Sequence, residues 1–236
     1  MPTTDLLSAS IAERHQALEV RIEQACHAAG RERNSVVLIG AAKIQGPEQV
    51  REAYSAGVRE FGENYVDEGI DKVQALSDLN SIWHFIGRIQ SNKTRQIATH
   101  FDWVHTIDRP RIATRLNEHC PDGKRLQVLI QVNIDEDPNK AGVSASACAD
   151  LLNHMLSLPS LQPRGLMTIL AKDHNPADSY RSMAELHASL SAQLPEEYSC
   201  WDSLSMGMTA DLEQAIAAGA THIRIGTALF GARPTR

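Results

Sequence analysis

Lys43 follows an apolar run, Val36-Val37-Leu38-Ile39-Gly40-Ala41-Ala42, of the kind that forms a buried parallel strand. A lysine delivered from a strand end into a sheltered mouth loses hydration, and desolvation favours the neutral amine, the form that attacks a carbonyl to make a Schiff base. The position equally suits a rim lysine that reaches back to water. Two turns far downstream bear on that choice. Ser205-Met206-Gly207-Met208-Thr209 leads into a helix, and Gly226-Thr227-Ala228 opens a short turn. Backbone N–H groups at such turns, with serine or threonine hydroxyls, offer a phosphate several donors without a full opposing charge, although glycines there also serve simply to permit tight turns. Arg224 lies two residues before Gly226 and shares its facing with Gly226 and His222 on a strand. It should point inward, satisfied by Asp202, Glu63 or a ligand nitrogen, either as a structural ion pair or as a ligand contact.

These residues are hundreds of atoms apart in the chain, so a fold must gather them. Strand-like runs at Val36–Ala42, Val58–Gly62, Ile82–Gly87, Trp103–Ile107, Leu126–Asn133, Arg164–Ile169, Ser203–Met206 and Ile223–Gly226 alternate with helical intervals. Helix punctuation lies between them: Gly46-Pro47-Glu48 starts one helix and Gly57 stops it, Ser144 opens a segment to Leu156, Pro176 opens one to about Leu194, and Thr209-Ala210-Asp211 opens one ending at Gly219. Ahead of these units, Leu7, Ile11, Leu18, Ile22 and Ala25 mark one face of a leading helix from about Leu6 to Ala29, closed by Gly30. Eight βα units without a linker or a composition break predict one α/β domain over residues 1–236, a (β/α)₈ TIM-type barrel with an extra N-terminal helix within residues 1–30. A doubly wound open sheet is the alternative. In a barrel the strand C-termini share one mouth, which would gather Lys43, Glu63, Asn64, Gly87, Arg88, Asp108, Asn133, Met167, Thr168, Ser205, Met206, Gly207, Arg224, Gly226 and Thr227.

Composition narrows the partners. The 236-residue chain is 42% hydrophobic and 22% charged with a formal net charge of -6, which argues against a broad nucleic-acid footprint; Arg88, Lys93 and Arg95 read as a solvated helix start. No stretch of eighteen uncharged apolar residues and no basic n-region before an apolar segment is present, so the expectation is a cytoplasmic protein that neither spans a membrane nor is exported. Cys26, Cys120, Cys148 and Cys200 form no CxxC pair and the ten histidines no HExxH spacing, so neither a metal nor a disulfide framework is expected. His84, inside Trp83-His84-Phe85-Ile86, reads as a hydrogen-bonded core residue.

Taken together, Phe61-Gly62-Glu63-Asn64-Tyr65-Val66-Asp67-Glu68, Trp83-His84-Phe85-Ile86-Gly87-Arg88-Ile89-Gln90-Ser91-Asn92-Lys93, Leu204-Ser205-Met206-Gly207-Met208-Thr209-Ala210-Asp211 and Ile223-Arg224-Ile225-Gly226-Thr227-Ala228-Leu229-Phe230-Gly231 resemble the pyridoxal phosphate homeostasis protein family. The resemblance runs from the leading helix to Gly231. It implies a barrel similar to the N-terminal domain of bacterial alanine racemase, without that enzyme's C-terminal β domain, carrying pyridoxal 5′-phosphate (PLP) as a Schiff base on the strand-one lysine, here Lys43. It further implies that Asn64, the turn from Ser205 through Met206 and Gly207 to Met208, and the Gly226-Thr227 turn hold the cofactor, the two turns cradling its phosphate, with Arg224 facing its pyridine nitrogen. His84, Asn133, Lys140 and Met167 are secondary candidates, Lys140 because it matches another family lysine near the mouth.

The family's strand-one segment resembles Ser-Lys-Thr-Lys-Pro, whereas this chain has Ala42-Lys43-Ile44-Gln45-Gly46; Gln45 replaces the second lysine and any part it plays in cofactor exchange. An arginine opposite the ring nitrogen stays protonated and discourages protonation there, so the electron sink is weak. Alanine racemases then need a second base, a tyrosine supplied through the β domain; of Tyr54, Tyr65, Tyr180 and Tyr198 only Tyr65 falls near a strand end. The expected function is therefore a monomeric, non-catalytic carrier that buffers PLP or delivers it to PLP-dependent apoenzymes. The alternatives are a weak PLP-dependent racemase and a Schiff-base aldolase acting on a phosphorylated substrate.

Overall fold

The computed structural model describes residues 9–171 and 174–231. Eight parallel strands close into a barrel in sequence order: β1 Val37–Ala41, β2 Glu60–Glu63, β3 Ile82–Phe85, β4 Trp103–Ile107, β5 Leu126–Val132, β6 Leu161–Thr168, β7 Ser203–Ser205 and β8 His222–Ile225. The β1–β8 pairing, with Val37 opposite His222 and Gly40 opposite Ile225, completes the ring and excludes the open sheet. Helices α1 Ile11–Ala28, α2 Pro47–Ala56, α3 Val66–Ala75, α4 Thr94–His100, α5 Pro110–His119, α6 Cys148–Leu156, α7 Pro176–Ser191, α8 Leu212–Ala217 and α9 Thr227–Phe230 surround or flank it.

Within the described residues the leading helix begins at Ile11, where Ser10 caps it. The Ser10 side chain accepts from the Glu13 N–H while the Glu13 carboxylate accepts from the Ser10 N–H, a reciprocal pair that satisfies two otherwise orphaned donors. The expected start at Leu6, and Leu7 with it, lies outside the described residues. Ile11, Leu18, Ile22, Ala25 and Cys26 form the buried face, and Gly30, at φ 66°, turns the chain away through an Arg31 N–H bond to the Cys26 carbonyl of 2.8 Å.

Among the strands the largest boundary shift is at β6, which begins at Leu161 instead of Arg164. Pro163 and Gly165 sit inside the strand and obscure it in sequence; the pairing with β5 slips between Val128 and Leu129 to accommodate them. Gly165 is required there, since a Cβ would lie 1.8 Å from the Ser203 carbonyl oxygen.

The main apolar core fills the layer between barrel and helices, with Phe61, Phe85, Phe101, Ile97, Ile112, Leu116 and Tyr180 wholly enclosed. A separate small cluster, Trp103, Leu129 and Met167, lies apart from it. Buried polar side chains, His84, His105, Ser205, His222 and Arg224, run through the strands, and of these Arg224 reaches the cavity at the barrel mouth. Among the described residues no helix is long and apolar enough to cross a membrane.

Candidate functional site

A cavity of about 340 Å³ opens at the C-terminal ends of the strands, lined by Lys43, Gln45, Asn64, Ile86, Ile169, Met208, Thr209, Ala210, Arg224, Gly226 and Thr227 among others. Closure of the barrel is what brings these segments together, since β1 is hydrogen-bonded to both β2 and β8.

Lys43 sits two residues past β1 in a tight turn in which the Gln45 N–H donates to the Ala42 carbonyl at 3.0 Å. Ile44 occupies the left-handed region at φ 70°, a strained conformation for a β-branched residue that costs on the order of 1–3 kcal/mol and persists only where surroundings hold it. The holding group is Lys72 from α3. Its ammonium donates to the same Ala42 carbonyl at 2.7 Å and to Glu63 Oε1 at 2.7 Å. Both partners are buried, Glu63 completely; burial pushes the Glu63 carboxyl up, with the Lys72 charge opposing it. Lys72 gave no sign of this in sequence, because nothing in the α3 pattern separates an inward-turning lysine from a solvated one.

Arg224 forms part of the pocket wall. Its Nη1 donates to Ser205 Oγ at 2.9 Å and its Nη2 to the Thr168 carbonyl at 2.8 Å. The expected partners are therefore corrected: Asp202 pairs with Arg164 and Glu63 with Lys72, because the barrel stagger places both carboxylates away from the guanidinium.

Ser205, Met206 and Gly207 are buried and lie behind the pocket wall rather than on it. β7 is only three residues long, and its last side chain, Ser205, turns toward Arg224. The wall in this quarter is made by the next three residues, Met208, Thr209 and Ala210; Met208 and Thr209 are the downstream end of the turn expected to meet a phosphate, and Ala210 belongs to the helix-start signal Thr209-Ala210-Asp211. The Met208 N–H is taken by Asp211 Oδ1 at 2.6 Å. The backbone N–H groups of Thr209, Ala210 and Thr227 donate to no protein acceptor among the described residues. Three free donors on residues that line one cavity, with Lys43 and Arg224 as its cations, suit a phosphorylated ligand.

The secondary candidates fall elsewhere. Asn133 closes the loop after β5, donating to the Asp137 carbonyl at 2.8 Å and accepting from the Asp137 N–H at 3.2 Å. Lys140 lies in the same loop, and neither lines the pocket. Met167 is enclosed beside Trp103 and Leu129. His84 is fully buried below the pocket, between His105 and Glu60. Arg88 and Tyr65 line an adjoining cleft that shares Asn64 with the main cavity, and Lys93 there is paired with Asp67 at 2.7 Å. Gly87 permits the close approach of β3 to Asn64: a Cβ would fall 1.9 Å from the Asn64 carbonyl oxygen.

Beneath the pocket, burial lowers the pKa of His222 to about 4, with His84 adding to the effect and Glu60 and Asp202 opposing it. Its Nδ1 lies 2.8 Å from Thr221 Oγ1. His222 thus stays neutral in the fold across a range where the unfolded chain binds a proton. Stability is fully present above pH 6.5 and is lost as pH falls toward 4, by about 3 kcal/mol from this residue alone. Thermal melts of the wild type should decline steadily from pH 7 to pH 4.5, and His222→Gln should flatten that decline; an identical slope in the two proteins would remove His222 as its source.

Comparison with known proteins agrees with this architecture. Residues 15–234 match the family described as alanine racemase, N-terminal domain. Clostridium difficile 630 alanine racemase superposes with a TM-score of 0.69 at 13% identity, covering 92% of this chain and 57% of that one, a likeness of fold alone. Nearer relatives are whole-length. The pyridoxal phosphate homeostasis protein of Haemophilus influenzae is 46% identical over 222 residues, covering 92% of this chain and 93% of that protein, and its Escherichia coli K12 counterpart is 44% identical over 228 residues, covering 93% and 96%. Synechococcus elongatus PipY, solved with PLP bound, matches at TM-score 0.82 and 36% identity, covering 94% of this chain and all of that one. The chain belongs to the pyridoxal phosphate homeostasis protein family.

Proposed function

We propose that the chain binds PLP in the cavity at the barrel mouth, holds it through Lys43, and buffers or delivers it without turning over a substrate. Bound PLP supplies an aldehyde that condenses reversibly with amines. Lys43 would hold that aldehyde, its amine being the nucleophile such chemistry needs. Thr209, Ala210 and Thr227 would hold the phosphate through their backbone N–H groups, Arg224 would hold the pyridine nitrogen, and Asn64 and Ile86 line the same cavity and would bound the ring. Ser205, Met206 and Gly207 act from behind, by fixing Arg224 and the Met208–Ala210 turn.

The observation that carries the non-catalytic reading is the pocket's inventory: among the described residues its ionisable side chains are Lys43 and Arg224. Racemisation requires a base on each face of the substrate carbon. Tyr180 is enclosed, its hydroxyl pushed well above the ordinary range by burial and by Asp211, and Tyr65 faces the adjoining cleft. The relatives carry the name of homeostasis proteins, and PipY's structure holds PLP. Gln45 lines the pocket as a neutral amide, so release depends on an incoming amine rather than on a second lysine at that position. We read the protein as a cytoplasmic monomer that serves PLP-dependent apoenzymes.

The test is transfer. Holoprotein freed of unbound PLP and mixed with an apo-aminotransferase should restore its activity, while circular dichroism of L-alanine with the same holoprotein should stay constant over hours. Steady loss of optical rotation would make the protein a racemase instead.

A further inference from the structure

Five polar side chains follow one another through the barrel from its closed end to the pocket. Glu60 opens β2 and keeps 19% of its side chain exposed, whereas His84, His105 and Ser205 are wholly enclosed. Glu60 Oε2 lies 2.8 Å from His84 Nε2, His84 Nδ1 lies 2.8 Å from His105 Nε2, and His105 Nδ1 lies 2.8 Å from Ser205 Oγ. Ser205 Oγ in turn accepts from Arg224 Nη1 at 2.9 Å. We infer that Glu60, His84, His105 and Ser205 form one directional hydrogen-bond relay that makes them positioning residues for Arg224, so that a change at the closed end of the barrel is felt at the pocket.

The direction follows from the two ends. A guanidinium only donates and a carboxylate only accepts. Ser205 Oγ accepts from Arg224, and its single hydroxyl proton goes to His105 Nδ1. His105 therefore carries its proton on Nε2 and donates to His84 Nδ1, and His84 carries its proton on Nε2 and donates to Glu60. The opposite order would require His105 to donate from Nδ1 and His84 from Nδ1 as well, and with one proton on each ring the bare Nε2 lone pair of His84 would lie against the Glu60 carboxylate. Burial opposes ionisation of Glu60, but the His84 hydrogen bond and the His84 and His222 rings hold its carboxyl below the ordinary value, and burial keeps His105 well below its own, with His84, His222 and Arg224 adding to it. His222 packs beside both imidazoles, with ring centroids 6.2 Å from His84 and 6.1 Å from His105, yet its Nδ1 is bonded to Thr221, so it stands off the path.

A chain of bonds with one polarity and opposite charges at its ends polarises along its length. Its consequence is a guanidinium held at two points, by Ser205 and by the Thr168 carbonyl, with its remaining N–H groups left for the pocket. The effect on ligand affinity rests on the PLP reading above; the relay itself does not.

Histidine ¹⁵N spectra of the ligand-free protein provide the test. His84 and His105 should each be protonated on Nε2 alone. Glu60→Leu removes the terminal acceptor, so His105 should become a mixture of tautomers and PLP should dissociate at about 3- to 10-fold higher concentration, the worth of one hydrogen bond. Glu60→Gln keeps a carbonyl acceptor and should restore the single tautomers and recover most of that loss. A wild-type His105 protonated on Nδ1 overturns the relay whether or not Glu60→Leu folds, as does a Glu60→Leu protein with unchanged tautomers and unchanged affinity. Because the tautomers are read without ligand, a failed PLP reading would leave this result standing, and an Nδ1 proton would refute the relay with the PLP reading intact.

Discussion

Lys43→Ala purified in parallel with the wild type is expected to be colourless, with complete loss of the visible imine band. The side chain supplies the amine at a pocket whose other ionisable lining residue is Arg224, and a guanidinium that stays protonated does not form an imine. For the same reason Lys43→Arg, which retains the positive charge, should also be colourless; the pair separates covalent attachment from electrostatic attraction. The free N–H groups of Thr209, Ala210 and Thr227 remain in both variants, so PLP should still be retained weakly and wash out on desalting. Borohydride reduction of the wild type followed by peptide mapping should place the adduct on the Lys43 peptide. A yellow Lys43→Ala protein, or an adduct on Lys140, would refute the assignment.

Lys72→Met should give the largest loss of stability of any single substitution in α3, about 3–5 kcal/mol, because it leaves Glu63 enclosed without its partner. For a chain of this length that corresponds to a fall in melting temperature of roughly 10 °C. The consequence extends to the site. Lys72 also holds the Ala42 carbonyl, the residue that starts the Lys43 turn, and without it the strained Ile44 conformation is free to relax and carry Lys43 away from the cavity. Visible absorbance at saturating PLP should therefore fall along with stability. Replacing both partners, Lys72→Met with Glu63→Leu, removes the uncompensated charge and should recover much of the stability while leaving the turn unanchored and the absorbance low. A Lys72→Met protein within about 1 kcal/mol of wild type would show that Glu63 is accommodated in another way.

The sequence determined that this chain is a parallel α/β fold of eight strands with a lysine and two glycine-containing turns at strand ends, and it favoured a barrel; the β1–β8 pairing decided closure. Buried parallel strands read as continuous apolar runs, helix starts and stops carry proline and glycine, and strand C-termini converge by topology alone. Lys43, Asn64, Arg224, Gly226 and Thr227 were legible in this way and all line the cavity. Alternation along a strand gives the facing of Arg224 but not its partner, because the partner depends on how far neighbouring strands are staggered. Thr168 and Ser205, 56 and 19 residues from Arg224 in sequence, meet it only once the barrel has closed. The same holds for His105, which reads as one polar residue inside the apolar strand Trp103–Ile107, and for Lys72, which reads as part of a solvated helix. A polar residue inside an apolar strand announces its burial in the local pattern, a lysine on a helix does not; which group satisfies either is decided by strand register and helix packing, since each acceptor comes from a different element of the fold.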